Sequence, residues 1–117
     1  MKWMAVIFVL LLSSCANREV KTSVSLDSAR TALDRGQYQS ALKQYRSYLQ
    51  LQPQSQYFQA ARAGEAEALE GLGQYTEALE IYRDVIKRTR QEFPDIAALA
   101  LYRSSYSYEA AGNIEQA

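Results

Sequence analysis

A six-residue pattern that begins with glycine occurs three times in this chain, and this repeat constrains the fold more than any other feature. Residues 36–41 read GQYQSA, residues 73–78 read GQYTEA, and a weaker copy at 112–117 reads GNIEQA. The glycines are 37 and then 39 residues apart. A period of about 20–50 residues indicates stacked similar units, each of which leaves an apolar face that the next unit covers.

Each repeat predicts two helices joined at the glycine. Six apolar positions after the first two glycines share one helical face; they are Tyr38, Ala41, Leu42, Tyr45, Tyr48 and Leu49, and then Tyr75, Ala78, Leu79, Tyr82, Val85 and Ile86. Small or apolar residues seven and four positions before each glycine predict a preceding helix; they are Ala29 and Ala32, Ala66 and Leu69, and Ser105 and Tyr108. We expect the glycine to end the first helix in a left-handed conformation and the tyrosine two residues later to begin the second. The fold class is therefore all-α, and the recurring tyrosines are expected to be packing residues.

The unit G-x-Y-x-x-A-x-x-x-Y, followed by Pro53 in one connection and Pro94 in the next, resembles the tetratricopeptide repeat. The resemblance covers about residues 23–117 and implies an α-solenoid of antiparallel helix pairs, with repeats at about 23–56, 57–95 and, incomplete, 96–117. The period exceeds the usual value of about 34 residues. The stretched spacing is similar to that of envelope proteins such as the lipoprotein of the outer-membrane β-barrel assembly machinery and the Tol-Pal-associated coordinator. Because the third copy is truncated, we expect a fragment of a longer protein, a truncated product or a chain that a partner completes. If the chain ends there, we expect the first helix of the third repeat to expose apolar surface and to fray or dimerise.

The first fourteen residues predict an export signal. Lys2 precedes an apolar run at residues 5–12, which is too short for the roughly 20 residues that cross a bilayer. The sequence Leu12-Ser13-Ser14-Cys15 resembles the lipobox of bacterial lipoproteins, which implies cleavage before Cys15 and fatty acylation of its thiol. Residues 15–22 are then a short polar tether. Because Ala16 rather than aspartate follows the cysteine, the resemblance implies an outer-membrane anchor facing the periplasm in a Gram-negative host.

Composition argues against several classes of function. The 13 basic and 13 acidic side chains cancel, so the chain has no field to attract nucleic acid. Histidine is absent and Cys15 is the single cysteine, which removes the commonest general base and the usual metal ligands. We therefore expect no catalytic activity, no metal, no cofactor and no small-molecule substrate.

The resemblance implies that the first helix of each pair lines a concave face on which other proteins bind. The inward positions are Leu26, Arg30, Leu33 and Asp34 in the first repeat, Ala63, Glu67 and Glu70 in the second, and Tyr102, Tyr106 and Glu109 in the third. The lysine, asparagine and arginine set with which some such repeats hold a C-terminal carboxylate is absent from these positions. Tyr102 and Tyr106 could form a binding platform or pack on a following helix, and the sequence leaves both open. The carboxylates of Glu65, Glu67 and Glu70 are expected to form a solvated helix face rather than a metal site.

These observations favour a lipid-anchored, periplasm-facing scaffold or adaptor in cell-envelope assembly. The alternative is a pilotin-like targeting chaperone that escorts a secretin or a pilus component to the outer membrane. The sequence does not identify the partner.

Overall fold

A computed structural model of the chain describes residues 26–116, with side chains described up to Gly112. Its regular structure is helical throughout: α1 covers residues 26–34, and α2 (Tyr38–Leu51), α3 (Phe58–Gly71), α4 (Tyr75–Thr89) and α5 (Pro94–Gln116) follow. The predicted all-α fold is confirmed. The predicted signal at residues 1–14, the tether at 15–22 and the lipidation site Cys15 lie outside the described residues.

The glycine turns form as the repeat predicts. Gly36 has a φ of 73° and Gly73 a φ of 78°, a left-handed conformation that costs glycine little. The amide of the residue after each glycine donates to a carbonyl five residues back, from Gln37 to Ala32 and from Gln74 to Leu69, both at 2.9 Å. This Schellman motif satisfies the carbonyl groups left free at a helix end. The next helix then begins with tyrosine, so each repeat folds as an antiparallel pair.

The core lies between successive helices. The six matched positions of α2 and of α4 are buried or half-buried, and their alanines, Ala41 and Ala78, are fully buried. Two rings of α2 lie directly on the backbone of α3, where Tyr45 covers Gly64 and Tyr38 covers Gly71. A side chain at either glycine would occupy the space of the ring. The recurring tyrosines are therefore packing residues, as expected, and Tyr45 and Tyr38 join the first repeat to the second.

The third repeat departs from the predicted pattern at its end. Helix α5 continues through Gly112 to Gln116, and Gly112 does not adopt a positive φ. Ser105 and Tyr108 are exposed, whereas the equivalent residues Ala66 and Leu69 are fully buried. The expectation of a helix end at Gly112 was wrong, because glycine adopts a helical φ as readily as a left-handed one and α5 continues through it.

Proline also has a different place in the two connections. Pro53 lies in the turn between α2 and α3, as predicted. Pro94 is instead the first residue of α5, a position at which the missing amide donor would have no helical partner in any case.

A candidate protein-binding groove

A groove of about 600 Å³ lies along the first helices of the three repeats, α1, α3 and α5. Six of the eight candidate residues for the concave face line it, and these are Arg30, Asp34, Glu67, Glu70, Tyr102 and Tyr106. Leu26 and Glu109 do not line it. Leu33 does, while Ala63 is buried in the core. The structure thus brings six of the eight candidate residues, drawn from all three repeats, into one groove, and ligand binding there stays a prediction.

The floor of the groove is a network of ion pairs centred on α3. Glu67 lies 3.3 Å from the Arg103 guanidinium of α5 and 3.6 Å from that of Arg30 of α1. Arg103 also lies 3.6 Å from Glu70, and the Tyr82 hydroxyl of α4 donates a hydrogen bond of 2.7 Å to Glu70. Charged groups of α1, α3 and α5 and a hydroxyl of α4 therefore meet at one place. This arrangement ties the third repeat to the first two.

The expectation that the glutamates of α3 form a solvated face was wrong. Glu67 and Glu70 are only 7% and 8% exposed, and Glu65 only 9%. The reason is the position of α3, because a central helix of a solenoid has neighbours on both sides. Glu65 pairs with Arg46 of α2 at 3.1 Å, so each buried carboxylate has an arginine partner, as buried charges require.

Burial dominates the electrostatics of the floor. Burial raises the pKa of Glu67 above its ordinary value, and the neighbouring carboxylates Glu70 and Asp34 raise it further. The guanidinium groups of Arg103 and Arg30 act in the opposite direction without cancelling the rise. Burial, followed by the hydrogen bond to Glu70, also raises the pKa of Tyr82. Tyr82 is therefore a permanently protonated donor to the floor at physiological pH.

Four tyrosines line the groove. Tyr102 and Tyr106 of α5 are 76% and 59% exposed, and Tyr38 and Tyr75, the first residues of α2 and α4, also line it. Sequence reasoning missed Tyr38 and Tyr75 as groove residues, although each follows a glycine turn by two positions. It also missed Arg103, the only cation in α5. The signal for Arg103 was a lone cation in the first helix of a repeat, after a repeat whose first helix has several glutamates.

Within the described part of the chain, no group of three or more acidic, cysteine or histidine side chains could hold a metal ion. The described helices include none long and apolar enough to cross a membrane. The groove instead offers exposed tyrosine rings over a rigid charged floor, a combination common where proteins contact other proteins.

A sequence profile described as Tetratricopeptide repeat matches residues 32–103, which is more than half of the chain. The chain belongs to the tetratricopeptide repeat family. The match extends from α1 into α5 and includes both glycine turns and the floor of the groove. No curated protein and no solved structure matches the chain. Tetratricopeptide repeats are generally interaction modules without catalytic activity, so the family indicates a protein-interaction scaffold.

Proposed function

We propose that this tetratricopeptide chain is a lipid-anchored adaptor of the cell envelope. In this proposal Cys15 carries the lipid, the repeats face the periplasm from the outer membrane, and the groove binds another envelope protein. The observation that carries the binding part is the pair of exposed rings, Tyr102 and Tyr106, beside a floor fixed by buried ion pairs. The N-terminal sequence carries the anchoring part.

The groove has the features of a protein contact site rather than of an incidental depression. Tyrosine is enriched among residues that dominate interface energetics because it offers large apolar area with few rotatable bonds. Tyr102 and Tyr106 stand one helical turn apart, so both rings can contact one bound segment. The Arg103 side chain lines the same groove and is held by Glu67 and Glu70. A partner would therefore meet a preformed surface, which reduces the entropy lost on binding.

The binding part is tested by photo-crosslinking in the host of the protein. A photoreactive residue replaces Arg30 or Tyr106 in the full chain, and a matched variant carries it at Lys43, which is exposed on α2 away from the groove. We expect both groove positions to give the same protein adduct and Lys43 to give none. If all three positions give the same adducts, or the groove positions give none, the groove is not the binding surface.

The anchoring part has its own test. Labelling with an alkyne analogue of palmitate should mark the wild-type chain and place it in the membrane fraction, and Cys15→Ala should lose both properties. A Cys15→Ala chain that stays labelled and membrane-bound would refute the anchor without affecting the groove. The identity of the adduct then separates the two cellular roles: β-barrel assembly components support the adaptor, and a secretin or pilus subunit supports the targeting chaperone.

A further inference from the structure

The contact between the second and third repeats differs in kind from the contact between the first and second. In the earlier contact, the Tyr45 ring of α2 covers Gly64 of α3. The residues at the same places in the later contact, counted from the glycine turns, are Tyr82 of α4 and Arg103 of α5. Arginine thus stands where the earlier contact has glycine, and the Tyr82 hydroxyl donates to Glu70. Charged groups therefore occupy a place that an apolar contact fills one repeat before.

Glu67 lies at the centre of these charges and contacts helices on both sides of α3. Its Oε2 lies 3.3 Å from the Arg103 guanidinium of α5, and its Oε1 lies 3.6 Å from the Arg30 guanidinium of α1. Each oxygen of one carboxylate thus faces a different arginine. Among the ion pairs of the described residues, those of Glu67 are the only ones that join the first repeat to the third through one side chain.

The network around Glu67 is not one that maximises stability. Glu67 is 7% exposed, and burial is the largest influence that raises its pKa, so its charge is costly to bury. The Nε of Arg103 is also buried, and within the described part of the chain it has no hydrogen-bond partner, which is unfavourable. Replacement of a buried ion pair by neutral groups is often neutral or stabilising. Stability alone therefore does not account for these charges.

The packing of α5 gives the charges a different role. Helix α5 packs mainly on α4, and its contact with α3 is much smaller, so apolar packing restrains its approach to α3 only weakly. The groove lies along α1, α3 and α5. Movement of α5 about α4 would change the separation of Tyr102 and Tyr106 from Arg30 and Asp34 across the groove. Buried polar contacts can select one arrangement among several that pack equally well.

We propose that Glu67 is a positioning residue whose charge, held between Arg30 and Arg103, sets the separation of α1 and α5 across the groove. Without that charge the fold stays intact, but no side chain links the two helices and α5 takes a wider range of positions. The consequence for binding rests on the proposed function, because a fixed separation is what gives a partner a preformed surface. The positioning itself requires no partner.

Distance measurement by double electron–electron resonance tests the positioning without a partner. In the full chain carrying Cys15→Ala, nitroxide labels are attached at Ser28→Cys of α1 and Ser105→Cys of α5, both exposed and outside the groove. Glu67→Gln should shift or broaden the distance distribution by about 1–2 Å, the scale of helix shifts in proteins. Its melting temperature at neutral pH should equal or exceed that of the same chain with Glu67. A merely structural contact would instead lower the melting temperature when it is lost.

Glu65→Gln is the matched control. Glu65 is also a buried glutamate of α3 with an arginine partner, but that partner is Arg46 of α2, at 3.1 Å. Glu65→Gln should therefore leave the distance between α1 and α5 unchanged. Arg30→Gln removes the exposed half of the link and leaves Glu67 paired with Arg103. It should change the distribution in the same direction as Glu67→Gln.

Several results would overturn the positioning role. They are an unchanged distribution in Glu67→Gln, an equal change in Glu65→Gln, and a lower melting temperature of Glu67→Gln. The proposed function fails separately. Distances that change as expected in a chain whose groove captures no partner would refute groove binding and support the positioning role, whereas a partner captured at the groove with unchanged distances in Glu67→Gln would do the reverse.

Discussion

Substitution of Gly64 by alanine tests the packing that joins the first repeat to the second. In most helices this change is favourable by about 1 kcal/mol, because alanine restricts the unfolded chain and favours the helix. Here the added Cβ would lie 2.8 Å from Cε2 of Tyr45 and closer still to Cζ, against an ordinary carbon contact of about 3.5–4.0 Å. The Tyr45 ring is only 3% exposed, so it would have to move by about 1 Å within a packed core.

Overpacking of this kind costs typically about 1–3 kcal/mol, and the overlap with a rigid ring places Gly64→Ala at the upper end. After subtraction of the helix preference, we expect a net loss of about 1–2 kcal/mol of unfolding free energy. For a domain of this size that corresponds to a fall in melting temperature of roughly 5–15 °C.

Thermal and urea denaturation followed by circular dichroism measure this loss. The matched control is Gly112→Ala, because no atom lies within 4 Å of the added Cβ and α5 is helical there, so its stability should be unchanged or slightly higher. In a Tyr45→Leu background the cost of Gly64→Ala should shrink, because the ring that it meets is gone. A Gly64→Ala chain as stable as the wild type would refute the proposed contact between α2 and α3.

Three further predictions follow from the turns and the floor of the groove. Gly73→Ala should lower the unfolding free energy by about 1–2 kcal/mol, since alanine resists the left-handed φ of 78°; a stable variant in urea denaturation would show that the turn does not need glycine. Tyr82→Phe should cost about 1–2 kcal/mol through loss of its hydrogen bond to Glu70, while Tyr75→Phe costs little; equal effects in the same assay would contradict this. Burial raises the pKa of Glu67 above 4.5 in the folded chain. Protonated Glu67 therefore contributes its full stabilisation of the folded state below pH 4.5, and this contribution is lost as the pH rises through the folded-state pKa. Glu67→Gln should therefore gain stability relative to the wild type as the pH rises above 4.5, and parallel pH profiles of urea denaturation would disprove it.

The repeat was sufficient to predict the local structure of the first two units. The glycine turns and the starts of α2 and α4 depend on residues within six positions of one another, so a short pattern specifies them. The packing role of Tyr45 also followed from its recurrence at Tyr82. Because the second helix of each unit covers its own first helix, the same pattern placed the core.

The features that the sequence did not predict depend on contacts between units. From the sequence of α3 alone, its glutamates are expected to face solvent. Their burial becomes possible because Arg30 and Arg103 of the neighbouring helices pair with them. The side-chain pattern of α3 does not reveal that it is the central helix of the solenoid. The course of α5 through Gly112 was also not predicted, because glycine permits a left-handed turn without requiring one. The groove residues themselves were mostly predicted, since the family resemblance assigns them by position.

Binding of the crosslinked partner to purified variants tests the central claim of a protein-binding groove most directly. Isothermal titration would compare the wild-type chain, the double variant Tyr102→Ser/Tyr106→Ser and the single variant Tyr108→Ser, all of which change exposed tyrosines of α5. Because aromatic hot spots contribute about 1–2 kcal/mol or more each, the double variant should bind at least tenfold more weakly, and Tyr108→Ser should bind as the wild type does. Unchanged affinity in the double variant would contradict the assignment of the groove as the binding site.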